Sequence, residues 1–112
     1  MDPIYALQAD LCKTLASPHR LEILHLLARE PMEVSRLADE LGMSQPNVSQ
    51  HLAVMRSVGV VEAERSGRDV RYRLVDPDIV AACSLIRGVL QRRLNRLADL
   101  GAATPDRTEV LT

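Results

Sequence analysis

The segment that most restricts the fold is LADELGMSQPNVSQHLAVMRSVGVV, residues 37–61. Two stretches of helical period meet in it across three residues. Before the break, Val34, Leu37, Ala38 and Leu41 share one face; after it, Val48, Leu52, Met55 and Val58 follow at steps of four, three and three. Gly42 stops the first helix, because glycine readily takes the left-handed conformation that closes a helix. Ser44 supplies a hydroxyl to cap the second, and Gly59 closes it. Helix, short turn containing glycine, helix is a helix-turn-helix. The second helix has an unusual start: Ser44, Gln45, Asn47, Ser49, Gln50 and His51 are polar and carry no formal charge.

The flanking segments complete an architecture. Residues 4–16 place Ile4, Leu7, Leu11 and Leu15 at helical spacing. In SPHRLEILHLLARE, Ser17 is an N-cap, Pro18 fits the first helical position, and Leu21, Ile23, Leu24, Leu26 and Leu27 make the broad apolar face of a central helix that Pro31 ends. VVEAERSGRDVRYRLV alternates around Ser66-Gly67-Arg68 and predicts a β-hairpin of about 60–65 and 70–75. Asp76-Pro77-Asp78 begins a last helix that runs to about Leu100. Along it, Ile79, Cys83, Ile86, Leu90, Arg93, Leu97 and Leu100 form a heptad seam broken once, at Arg93. The expected fold is mainly α with a small β-hairpin: a winged helix-turn-helix in one domain over 1–101, with 102–112 a flexible tail. About 24 residues of amphipathic helix exceed what one small domain needs, so the long helix is expected to pack on a second copy.

Composition supports helices over a sheet sandwich. The 112 residues include two Tyr and no Phe or Trp, so the core must be aliphatic, whereas strands favour aromatic and β-branched residues. No apolar run approaches the roughly 18 residues of a membrane span. MDPIYALQADLCK does not read as a secretion signal. Cys12 and Cys83 lie far apart in sequence, which favours reduced thiols and a cytoplasmic address. There is no glycine-rich phosphate loop, Cys-x-x-Cys pair, His-rich cluster or plausible Ser–His–acid spacing, so neither an enzyme nor a bound cofactor is expected.

The formal net charge of −1 argues against nucleic acid, because duplex binding is mainly phosphate neutralisation. The charge is unevenly spread, however. Residues 1–43 carry four basic and seven acidic side chains, residues 44–75 five and three, and residues 76–112 five of each. Only the third containing the helix-turn-helix and hairpin is net positive.

KTLASPHRLEILHLL, LADELGMSQPNVSQHLAVMRSVGVV and GRDVRYRL together resemble the ArsR/SmtB family of bacterial repressors, over about residues 5–92. The resemblance implies a homodimeric winged-helix protein that binds promoter DNA, with dimer contacts from the first and last helices. It also implies release by a ligand, usually a metal ion or a thiol-reactive species.

The residues agree on double-stranded DNA. A recognition helix reads the major groove with hydrogen-bonding groups near its N-terminus, and Gln45, Asn47, Ser49 and Gln50 supply them; Ser44 belongs to the same polar run. By resemblance, His51 is the family's Ser-x-His-Leu histidine, which contacts phosphate or braces the helix. On the hairpin, Arg68 lies at the tip with Arg65 beside it, and Arg71 and Arg73 follow, diluted by Glu62, Glu64 and Asp69. Arg56 is a further candidate for phosphate. The alternatives are a merely solvated polar face and charged hairpin, or a winged helix used for protein contact, which would favour exposed apolar residues at these positions.

The resemblance does not carry over the family's metal sites. Where a Cys-x-Cys pair precedes Leu-Ala in the third helix, this sequence has Glu33 and Ser35. Where the last helix carries Asp and His ligands, Asp76 and Asp78 are present, but no His follows His51. His19 and His25 read as surface or structural residues, on different faces of one helix. Cys12 and Cys83 remain as a candidate thiol sensor. The alternative is that both are small buried hydrophobes, as unpaired Cys often is, in a repressor that answers to a small molecule or to no ligand at all.

Overall fold

The computed structural model describes residues 1–101 of the chain; the tail expected at 102–112 lies outside the described residues. The chain divides into two compact units, Met1–Pro77 and the segment from Asp78 onward. The first unit contains α1 (Pro3–Thr14), α2 (Pro18–Leu27), α3 (Val34–Leu41), α4 (Gln45–Ser57), β1 (Val61–Ser66) and β2 (Asp69–Leu74). The second contains α5 (Asp78–Asp99).

Three helices start at a capping side chain: Ser17 and Ser44 do so as expected, and Asp2 does so without having been singled out from the sequence. Asp2 caps α1 by accepting from the Ile4 N–H at 2.9 Å. Ser17 caps α2 through the Arg20 N–H at 3.4 Å, with Pro18 in the first turn. Ser44 caps α4 through the Asn47 N–H at 3.3 Å. Each cap satisfies a backbone donor that the helix itself leaves unpaired.

The core of the first unit is aliphatic and thioether. Ile23 and Leu24 of α2, Leu37 of α3, Val48, Leu52 and Met55 of α4 and Val61 of β1 are fully buried; Leu15, Leu27, Met32, Ala38 and Val60 complete it. The faces of α2, α3 and α4 read from the periodicity are therefore the packed ones, although Leu21, Leu26, Val34, Leu41 and Val58 are only half-buried; on α1, Leu15 is buried and Leu11 half-buried, whereas Ile4 and Leu7 are exposed.

Two boundaries differ from expectation. α2 ends at Leu27, whereas Pro31 alone would allow it to continue almost to Glu30. The residue before a proline is pushed out of the helical region, and Met32 pairs with the sheet, so the chain must leave the helix early. Met32 and Tyr72 exchange backbone hydrogen bonds of 3.0 and 2.8 Å, an isolated antiparallel bridge that no periodicity announced. The hairpin is also tighter than expected. β1 and β2 pair antiparallel from Val61↔Leu74 to Ser66↔Asp69, leaving a loop of only Gly67 and Arg68. Gly67 has φ +63° and, among the described residues, no non-glycine residue has positive φ, a pattern that fits a type II′ turn.

α5 runs 22 residues with no buried side chain. Along its expected seam, Ile79, Cys83 and Leu97 are half-buried, whereas Ile86 and Leu90 are exposed.

Candidate nucleic-acid interface

The turn between α3 and α4 is built by backbone chemistry. Gly42 adopts φ +64°, and the N–H groups of Gly42 and Met43 return to the Asp39 and Ala38 carbonyls at 3.3 and 3.0 Å. This double closure ends α3 and turns the chain. Ser44 starts the next helix at once, so three residues separate the two.

α4 is divided lengthwise. Val48, Leu52 and Met55 are completely buried, while Ser44, Gln45, Asn47, Ser49 and Gln50 are exposed. The five exposed side chains offer amide and hydroxyl donors and acceptors on the first two turns, where a groove-reading helix needs them. Arg56 is exposed in the last turn of the same helix.

His51 is set apart from this row. It is half-buried, and its Nδ1 accepts a hydrogen bond from Nε of Arg20 at 3.2 Å. The neutral ring that accepts at Nδ1 carries its proton on Nε2. Burial, then the Arg20 guanidinium, then His19 hold the His51 pKa below its ordinary value. The His19 ring lies 5.9 Å away, tilted by 44°, and is itself 3.9 Å from Glu22. Of the two roles open to His51 in the sequence, these contacts fit bracing.

Arg20 was not among the residues singled out from sequence. Besides reaching His51, it donates through Nη1 to the Thr14 carbonyl at 3.0 Å, so one guanidinium joins the end of α1 to α4. Its partner lies 31 positions away, and a lone arginine in a first helical turn gives no local sign of such a contact.

The hairpin arginines separate by strand register. Glu62 and Glu64 alternate with Val61, Ala63 and Arg65, and across the ladder Arg73 faces Glu62, Arg71 faces Glu64 and Val70 faces Arg65. Arg73 forms ion pairs with Glu62 and, at 3.7 Å, with Glu64. Arg65 therefore stands on one face of the hairpin, Arg71 and Arg73 on the other, and Arg68 at the tip. Arg65, Arg68 and Arg71 are exposed and make no ion pair among the described residues, whereas Arg73 is engaged.

Cys12 is exposed on α1 and Cys83 is half-buried on α5; neither is in a disulfide. Exposure of Cys12 departs from the alternative of two buried core thiols. Around the helix it lies about 100° from Leu11 and about 60° from Leu15, on the flank of that apolar side. His25 donates from Nδ1 to the Leu21 carbonyl, 2.8 Å away, a local contact within α2.

A central helix, a helix-turn-helix and an antiparallel hairpin closed by a third backbone pairing define a winged helix-turn-helix. The profile of the bacterial regulatory protein arsR family matches residues 17–63, which span α2 to the start of the wing. An uncharacterised HTH-type transcriptional regulator of Mycobacterium tuberculosis, Rv0081, is 40% identical over 95 residues, covering 84% of this chain and 83% of that protein. Its crystal structure superposes with a TM-score of 0.77 at 38% identity, over 88% of this chain and 99% of the other. The homodimeric winged helix-turn-helix DNA-binding domain of Mb0332 from Mycobacterium bovis gives a TM-score of 0.76 at 32% identity, over 86% and 92%. The HTH-type transcriptional repressor SmtB of Mycobacterium tuberculosis is 46% identical over 67 residues, 60% of this chain and 50% of that protein. The chain belongs to the ArsR family of bacterial transcriptional regulators.

Proposed function

We propose that the chain is a homodimeric transcriptional repressor that occupies operator DNA through α4 and the wing and is released by a chemical signal. The observation that carries the DNA reading is the lengthwise division of α4: an uncharged polar row over a completely buried apolar stripe. In this reading Gln45 and Asn47 address adenine edges, Ser49 and Gln50 adjacent bases, and Ser44 both caps the helix and approaches phosphate. Arg56, Arg65, Arg68 and Arg71 supply phosphate attraction, which sets affinity more than sequence choice. The exposed polar row also favours DNA over a protein partner, for which apolar side chains would be the expected lining.

Dimerisation is supported by apolar residues that the chain leaves in water. On α1, Ile4 and Leu7 are 54% and 63% exposed; on α5, Leu85, Ile86 and Val89 are 74%, 62% and 56% exposed. A second copy covering these helices removes that surface from solvent, and the Mycobacterium bovis relative is described as homodimeric. Repression is supported by the name of SmtB, a transcriptional repressor. DNA binding places the protein in the cytoplasm, and no helix among the described residues is long and apolar enough to cross a membrane.

The releasing signal is oxidation or persulfidation of Cys12 and Cys83. The exposed Cys12 thiol supports it, since a thiol must be reachable to react, and both cysteines lie on the helices assigned to dimer contact.

Selection from random-sequence duplexes, followed by gel-shift titration of the recovered site, tests the reading. Wild type is expected to select a two-fold-symmetric site, and Gln45→Ala or Ser49→Ala to weaken binding with an unchanged dimer. Failure to enrich any sequence, or undiminished binding by both variants, overturns the assignment of α4. Persulfide treatment is expected to release the duplex from wild type and not from Cys12→Ser; release from both proteins, or from neither, removes the thiol signal.

A further inference from the structure

We infer that Arg20 is a positioning residue for the recognition helix, fixing the rotation at which α4 presents Gln45, Asn47, Ser49 and Gln50. The inference rests on the reading of α4 as the helix that meets DNA. Groove recognition demands close geometric control, because hydrogen bonds to base edges fail when donors are displaced by a fraction of an ångström or turned by tens of degrees. The buried stripe of Val48, Leu52 and Met55 sets the depth of α4 in the core. Apolar burial is non-directional, however, and by itself specifies no hydrogen-bond direction for the polar side of the helix. A directional contact has to supply the rest.

Arg20 is built to supply it. Its backbone is held first, since the Arg20 N–H donates to the capping Ser17 hydroxyl. Its guanidinium then spans two elements, with Nε on His51 Nδ1 at 3.2 Å and Nη1 on the Thr14 carbonyl at 3.0 Å. Thr14 is the last residue of α1, and its carbonyl lies among the acceptors that a helix leaves unpaired at its negative end. The planar fork fixes the angle between the two bonds, so the His51 ring is located relative to α1 as well as α2. His51 stands three and four residues after Val48 and Asn47, one turn along the same side of α4. Holding the ring therefore sets the phase of the polar row one turn before it. A lysine preserves the charge but has a single nitrogen and no fork, so it cannot make both bonds in this geometry.

The test is a double-mutant cycle on affinity for the selected duplex, read by fluorescence anisotropy for wild type, Arg20→Lys, His51→Gln and the double variant, with the melting temperature of each. Arg20→Lys is expected to bind about tenfold more weakly, and the double variant no more weakly than the worse single one, as for residues that share one interaction. Undiminished binding by Arg20→Lys overturns the inference, and so do losses that multiply in the double variant, because Arg20 would then act independently of His51. Ring nitrogen NMR without DNA gives a second reading. Arg20→Gln is expected to move the His51 titration midpoint upward, and an unmoved midpoint overturns the pairing. If wild type itself selects no duplex, the DNA reading and the role of Arg20 in it fall together, while the NMR result still decides whether the pair exists.

Discussion

Met32 and Tyr72 exchange both backbone hydrogen bonds, at 3.0 and 2.8 Å, and so tie the segment between α2 and α3 to the second strand of the wing. A third segment is thereby joined to β2, while Val75 extends the hairpin's own ladder by donating to the Val60 carbonyl at 3.0 Å. Two strands alone are marginal in water. The third segment anchors the wing to the connection between α2 and α3.

Met32 is 3% exposed, so its side chain belongs to the core as well as its backbone to the sheet. Met32→Ala is expected to destabilise the protein by about 2–5 kcal/mol, the range for truncating a buried long apolar side chain. Urea denaturation monitored by circular dichroism measures it. A loss below about 1 kcal/mol would mean that the site collapses around the smaller residue or that the anchor is dispensable.

Gly42 separates conformational from steric cost. A Cβ at this position meets nothing within 4 Å, but φ is +64°. Gly42→Ala should therefore lose only the left-handed backbone term, about 1–2 kcal/mol, and Gly42→Asn less, because asparagine tolerates that region better. Thermal melts of the two variants order them; a larger loss for Asn than for Ala would contradict this account of the turn.

Arg68 is exposed at the wing tip beyond the paired strands. Arg68→Ala is expected to lower the slope of log affinity against log salt by about one while leaving the preferred sequence unchanged, the signature of a lost phosphate contact. Arg73→Ala should change the slope less, because Arg73 is already committed to Glu62 and Glu64. Anisotropy titrations over a range of salt concentrations distinguish the two arginines, and equal slopes for both variants would count against the wing-tip contact.

His51 makes stability depend on pH in a defined direction. Burial, Arg20 and His19 depress its pKa in the folded protein, so near neutral and mildly acidic pH the unfolded chain binds more protons at this residue than the folded one. Its contribution to stability is then fully present above the ordinary histidine value of about 6.5 and is lost as pH falls through the lower folded value. Urea midpoints of wild type are expected to fall over this window more steeply than those of His51→Gln. Parallel pH profiles would show that His51 is not the group responsible.

Much of this arrangement is legible before any tertiary structure is known. The steps of three and four along α2, α3 and α4 identified Ile23, Leu24, Leu37, Val48, Leu52 and Met55 as inward-facing, and all are buried. Gly42, Ser44 and Gly67 mark their turns because only a few residue types satisfy the local backbone requirement. The exposed polar row of α4 is the complement of its apolar stripe, so one pattern revealed both.

Helix faces, caps and turns depend on residues within about four positions of one another, so they can be read along the chain. Contacts between distant segments depend on how the elements pack, and the tertiary structure alone decided them. Met32 reaches Tyr72, and with it the early end of α2; Arg20 reaches His51 across 31 positions; Arg73 is taken by Glu62 and Glu64, leaving Arg65, Arg68 and Arg71 exposed. Periodicity identifies the face of an element that must be buried. It contains no term for the partner on which a single directional hydrogen bond or ion pair will land, because that is fixed only when the elements have come together.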